Sequence, residues 1–234
     1  MPKRKETLTE KIRPYHILGK AVEGKEIFAA KEDRARFVFQ MYAANIGKPV
    51  INLYRKDIFT ISNAILQGEE IPKGFVHQEH DPLVHLFSFV LGRDCYHLGM
   101  VPAKKEGIPL YMQKLNLGFA KYYNLKNKRT GTLFEGRFKA APILNPKQLA
   151  SVVRYINIKK ALDYHDETEL FEYPYSSFPD LFGKRTSHLL SEESRSNLLK
   201  LLGEEFFRDR ESYKDDIKEF QNSENGIGRN LFLE

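Results

Sequence analysis

Residues 84 to 101 constrain the fold more than any other stretch of this chain. Val84, Leu86, Phe87, Phe89 and Val90 form an apolar run of strand length, Gly92-Arg93-Asp94 supplies a turn, and residues 95 to 101 return as a second run. Two such runs joined by turn residues read as an antiparallel hairpin that is largely buried. A buried hairpin needs partners, so the rest of the chain is read for what covers it.

Residues 15 to 22 read as a first strand, Gly24 as a turn, and residues 31 to 44 as a helix, because Ala35, Phe37, Val38, Met41 and Tyr42 recur at helical spacing. Residues 58 to 66 suit a short helix, and Gly68, Pro72 and Gly74 punctuate a loop or insertion. After the hairpin, Pro109 stands at a helix start, with Met112, Leu115, Phe119, Tyr122 and Tyr123 repeating every three or four residues as far as Asn124. A basic loop follows at residues 126 to 131, then a strand is expected over residues 133 to 143. Asn145-Pro146 is a cap and a first-turn proline, and the helix they open is expected to reach about Ala161. Antiparallel strands mixed with helices give an α+β class: a ferredoxin-like antiparallel sheet with helices on one or both faces. Residues 1–12 read as a basic tail, 13–183 as the main domain, and 184–234 as a charged helical extension with helices near 191–202 and 208–221.

No run approaches the ~18 to 20 consecutive apolar residues of a membrane span. The start is charged, with no apolar stretch behind it, and the one cysteine cannot form an intrachain disulfide. A soluble cytoplasmic protein, monomer or homodimer, is the expectation, with no membrane partner. The formal charge of +6 favours a polyanionic partner. Its distribution says more: Lys114, Lys121, Lys126, Lys128, Arg129, Arg137 and Lys139 stand against Glu135 alone, interleaved with Tyr122, Tyr123, Phe134 and Phe138. Cations with aromatics suit phosphates and stacked bases, while a solvated helix face beside core aromatics is the plainer alternative.

In a strand, residues two apart point the same way, so Cys95 and His97 share a face while Tyr96 takes the other. The pair is able to meet one metal ion; a buried thiol and a satisfied histidine are the alternative. On the later helix, Tyr155 and Lys159 lie one turn apart. A tyrosine beside a cation is a potential nucleophile, since the cation stabilises the phenolate; a core tyrosine is the alternative. His77 and His80 have ligand-like spacing without a third ligand nearby, and Asp215-Asp216 and Glu204-Glu205 read as solvated helix faces.

Several ordered motifs resemble the signature of single-tyrosine HUH-type transposases, the branch associated with repetitive extragenic palindromes. They are Met112-Gln113-Lys114-Leu115, Phe119-Ala120-Lys121-Tyr122-Tyr123-Asn124, Lys128-Arg129-Thr130-Gly131, Leu133-Phe134-Glu135-Gly136-Arg137-Phe138-Lys139-Ala140 and Arg154-Tyr155-Ile156. The opening Tyr15-His16-Ile17 and the later Tyr173-Pro174-Tyr175-Ser176-Ser177 fit the same pattern. The resemblance implies a ferredoxin-like domain whose central strand holds Mg²⁺ or Mn²⁺ through two histidines flanking one residue, and a helix tyrosine that cuts single-stranded DNA through a 5′-phosphotyrosine link. On this chain His97 matches the second histidine and Tyr155 the nucleophile.

Two positions depart from that pattern. Cys95 stands where the resemblance has the first histidine, and Lys159-Lys160 replaces an Asn-Pro pair whose amide is a further metal ligand. A thiolate prefers softer ions than Mg²⁺, and a charged lysine is no ligand. Lys159 then either supplies fixed positive charge in place of part of the metal's task, or cleavage has been lost and a domesticated nucleic-acid-binding scaffold remains. The resemblance implies single-stranded or hairpin DNA as partner, with Arg154 and Lys160 joining the basic residues above as DNA contacts. An RNA-binding ferredoxin-like module is a more distant alternative.

Overall fold

A computed structural model describes residues 13–49, 57–72, 74–159, 172–202 and 233. The N-terminal tail, the helix expected at 208–221, both acidic pairs and Lys160 lie outside the described residues. In chain order come β1 (Tyr15–Lys20), a 3₁₀ turn (Val22–Gly24), α1 (Lys31–Ile46), β2 (Gly47–Pro49), α2 (Ile58–Gln67), β3 (Val76–Gln78), β4 (Val84–Leu91) and β5 (Cys95–Pro102). They are followed by α3 (Gly107–Lys126), β6 (Lys139–Pro142), α4 (Pro146–Arg154), a π-helical turn (Tyr155–Lys159) and the helices Phe178–Leu181 and Glu192–Leu202.

The main sheet has the order β4-β5-β1-β6, every neighbour antiparallel, and β2 pairs separately with β3. With β2, α2 and β3 set aside as an insertion, the chain runs strand, helix, strand, strand, helix, strand, and its first strand lies between its third and fourth. That is the ferredoxin-like arrangement. α1 and α3 cover one face of the sheet. Ring centroids there are 4.8 Å apart for Phe37 and Tyr96, 5.0 Å for Phe37 and Phe119, and 5.4 Å for Phe28 and Phe119. Gly19 sits opposite Tyr96, and a Cβ at that position would overlap the tyrosine ring, so glycine lets the ring lie across β1. Each fully buried aromatic contributes roughly 1.5–3 kcal/mol, which outweighs the ~1 kcal/mol that a strand glycine costs.

α4, the π-helical turn and the Glu192–Leu202 helix lie against the other face, burying Val152, Val153, Ile156, Ile158 and Leu198. The outer edge of β4 is covered by the Tyr173 to Ser177 segment. The Leu91 N–H donates to the Tyr175 carbonyl, the Ser177 N–H donates to the Phe89 carbonyl, and Val90 bridges Ser176. An edge strand left open is a template for unwanted pairing, and this segment closes it. No helix among the described residues is long and apolar enough to cross a membrane.

Four expectations are corrected. The strand expected over residues 133 to 143 is only Lys139–Pro142, because Gly136 turns the chain with φ of 62° and Phe134 makes only an isolated bridge to Ala21. The helix expected to run to about Ala161 changes character at Tyr155, where α-helical bonding gives way to a π-helical turn. Within the expected central hairpin, β5 is internal, but β4 ends the four-stranded sheet. The helix expected from Pro109 begins two residues earlier, at Gly107.

Candidate functional site

The site is built by strand register. On β5, Cys95, His97 and Gly99 alternate onto the face away from α1 and α3. Across on β1, Lys20 lies opposite Cys95, Leu18 opposite His97 and His16 opposite Gly99, so these three share that face. Gly99 projects no side chain beside His16, and the ring of Phe87 fills the space above it. The His16 imidazole leans diagonally to His97, with Nε2 3.0 Å from His97 Nδ1 and ring centroids 5.2 Å apart. The other nitrogen of His97, Nε2, is 4.0 Å from Cys95 Sγ.

Tyr155 closes the group from above. Its ring meets both imidazoles edge-on, with centroids 5.5 Å from His16 and 5.7 Å from His97. Its hydroxyl donates to the Leu233 carbonyl at 3.1 Å. All four side chains are buried, Cys95 being the most accessible at 7%. Tyr155 begins the π-helical turn, where i→i+5 bonding widens the helix by one residue, a feature found often at functional sites.

What secures that turn is Asn157. Its amide donates to Ser88 Oγ at 2.8 Å and to the Val153 carbonyl at 2.9 Å, and its carbonyl oxygen accepts from Ser177 Oγ at 2.6 Å. The network pins the turn to β4 and to the segment covering its edge. In the sequence His16 stands out only as part of the Tyr15-His16-Ile17 motif, with no role attached, and Asn157 not at all. The alternation in β1 puts His16 with Leu18 and Lys20, which was a usable signal, but the pairing that joins this face to His97 spans 81 residues.

The structure divides the expected DNA contacts. Lys114 donates to the Gly47 carbonyl and contacts His80 Nε2, both at 3.0 Å, so it braces the β2–β3 insertion. His80 places Nδ1 2.8 Å from the Asp81 carbonyl, leaving neither ring nitrogen directed at His77. Lys126 pairs at 2.6 Å with buried Asp33, which also accepts from the Tyr122 hydroxyl at 2.8 Å. Burial, followed by that bond to Asp33, holds Tyr122 well above the usual tyrosine range. Arg129 spans its own loop, donating to Asn124 Oδ1 at 2.6 Å and to the Thr132 carbonyl at 3.0 Å.

Lys121, Lys128 and Arg137 are exposed. Lys139 is exposed too, and β6 pairs it with Leu18. It therefore lies in the cross-strand row of His97, two strands away, on the same face. At ~4.8 Å per strand that is about 10 Å between backbones. Arg154 ends α4 half-buried, and Lys159 ends the π-helical turn.

Of these donors, the Cys95 thiol is the one least suited to a hard Mg²⁺ or Mn²⁺ ion, and the two imidazoles are the ones that would hold it. Such ions prefer oxygen and accept imidazole, and the side chains converging here are two imidazoles, one thiol and a phenol. Among the described residues, no group of three or more His, Cys, Asp and Glu side chains is placed to hold a metal.

No family model and no curated protein sequence matches the chain. Among solved structures, it is similar to a REP-associated tyrosine transposase bound to a REP hairpin, with a TM-score of 0.47 and 9% sequence identity, covering 80% of this chain and 90% of that chain.

Proposed function

We propose that this protein binds single-stranded or hairpin DNA and that Tyr155 is the nucleophile of a strand-cleaving and rejoining reaction. The observation that carries the reading is the convergence of Tyr155 on the His16–His97 pair, at ring-centroid distances of 5.5 and 5.7 Å. Once the phenol turns from the Leu233 carbonyl, the paired imidazoles beside its ring are the proton acceptors this reading assigns. In the reaction the Tyr155 oxygen bonds to phosphorus, its proton passes to an imidazole, and the bond from phosphorus to the 3′-oxygen breaks. The products are a 5′-phosphotyrosine and a free 3′-hydroxyl, the latter taking up a proton. Lys139, on the face of His97, and Lys159, at the end of the Tyr155 turn, are assigned the positive charge that steadies the phosphate.

Access sets a condition. Tyr155 is 1% exposed and its hydroxyl is held by the Leu233 carbonyl, so a phosphate reaches it only after that contact opens. This occupied hydroxyl, with a thiol at position 95, favours a second reading in which the same face binds DNA without cutting it.

A labelled single-stranded hairpin incubated with the full chain, in Mg²⁺, in Mn²⁺ and in chelator, separates the two readings. A covalent adduct on a denaturing gel, lost in Tyr155→Phe with binding retained, is expected under the first. Binding without adduct in every condition selects the second, and no binding at all removes both.

A further inference from the structure

We propose, resting on the DNA-binding reading above, that a cavity beside the imidazole pair holds one unpaired nucleobase with an exocyclic amino group and so sets the strand's register a few nucleotides from Tyr155. The cavity measures about 290 Å³. Phe87, Val101, Leu149 and Leu198 form its apolar walls, and the exposed residues Glu193 and Asn197 complete the lining. That volume is at the small end of ligand pockets, ~300–1,000 Å³, and suits a single planar base. Glu193, Asn197 and Leu198 belong to the Glu192–Leu202 helix, beyond residues 13–183 that carry the resemblance to transposases, so this chain's own C-terminal part builds the pocket.

Strand register ties the cavity to the Tyr155 face. His97, Gly99 and Val101 alternate onto one face of β5, and the Phe87 ring lies over Gly99, the register partner of His16. Phe87 therefore stands between the imidazoles and the cavity. Val101 is ~14 Å along the strand from His97. A stacked single strand advances ~3.4 Å per nucleotide, so a base in the cavity is at most about four nucleotides from a phosphate at the imidazole pair. The lining chooses the ligand. No Lys or Arg lines the cavity, which argues against a phosphate. Apolar walls with a polar edge are how an extruded base is held, packed on its faces and hydrogen-bonded along its edge. The Glu193 carboxylate only accepts hydrogen bonds, and adenine, guanine and cytosine offer it an amino group that thymine lacks.

A hairpin oligonucleotide with a single-stranded flank, titrated with the full chain by fluorescence anisotropy while one abasic residue is walked along the flank, tests this. One position is expected to lose affinity ~5- to 100-fold when its base is removed, the range for a single base packed on protein side chains. At that position thymine should bind more weakly than adenine, guanine or cytosine, and Glu193→Ala should erase the difference. Asn197→Trp, at an exposed helix position, fills the cavity and should bind intact and abasic strands alike. The abasic walk on the unaltered protein needs no variant to fold. Binding with a flat abasic walk, or an abasic penalty unchanged in Asn197→Trp, would overturn the pocket while leaving DNA binding standing. Equal binding of thymine would overturn the assigned class of base, and failure to bind any strand would overturn both the pocket and the DNA-binding reading.

Discussion

His16 and His97 meet across neighbouring antiparallel strands although they are not register partners. His97 lies opposite Leu18 and His16 opposite Gly99, yet Nε2 of His16 is 3.0 Å from Nδ1 of His97. Diagonal cross-strand neighbours start ~7–8 Å apart, and two imidazoles are long enough to bridge that.

Replacing His16 by Ala deletes one hydrogen bond to a buried ring and leaves a cavity beside Tyr155. A loss of about 2–4 kcal/mol in urea unfolding is expected, with His16→Asn, whose amide still bonds, retaining part of it. A loss below ~0.5 kcal/mol would mean that the imidazole pair does not form in solution.

The basic residues should fall into two classes. Lys121, Lys128 and Arg137 are exposed, and replacing them by Ala should leave stability nearly unchanged while flattening the salt dependence of single-strand binding by ~0.7 per lost phosphate contact. Lys126 is paired with Asp33, whose side chain is 8% exposed, so Lys126→Ala should cost about 1–3 kcal/mol of stability. Urea unfolding and affinity measured at several salt concentrations distinguish the classes; if Lys126→Ala altered only the salt slope, the division would be wrong.

Asn157 offers a test of the π-helical turn. Asn157→Leu removes bonds to Ser88, Ser177 and Val153 inside a fully buried network, leaving Ser88 Oγ with only a 3.4 Å contact to Ser177 Oγ, which keeps the Phe89 backbone as its partner. The expected loss is about 2–4 kcal/mol. Circular dichroism should keep its helical signal, since α1 and α3 are untouched, while any Tyr155 adduct formation should drop. An Asn157→Leu protein as stable as the parent would remove this network from the account.

Alkaline pH probes the segment covering β4. Burial pushes Tyr173 up to about 12, offset in part by the nearby Arg34. In the unfolded chain a tyrosine ionises near ~10. Between these values the folded protein keeps a proton that the unfolded chain has lost, so stability is full below pH ~10 and falls as pH rises towards 12. The two-unit gap corresponds to about 2.7 kcal/mol. Tyr173→Phe should make the decline shallower, and at neutral pH should lose roughly 1 kcal/mol with the 2.6 Å bond to the Leu91 carbonyl. Urea unfolding from pH 9 to 12 checks both; parallel curves for parent and variant would rule out this origin.

Local pattern determined much of this protein. The hairpin at 84 to 101, the helices α1 and α3 and the Asn145-Pro146 start of α4 follow from periodicity, turn residues and capping, all of which act within a few residues. Period-two alternation also set Cys95 and His97 on one face. The 133–138 segment and the π-helical turn escaped that reading, because a positive φ at Gly136 and a network from Asn157 to Ser88 and Ser177 override local preference. The imidazole partner of His97 was decided by tertiary structure alone. It comes from β1, brought alongside β5 by pairing across 81 residues of chain, and long-range register is set by which faces the helices bury rather than by any neighbouring residue.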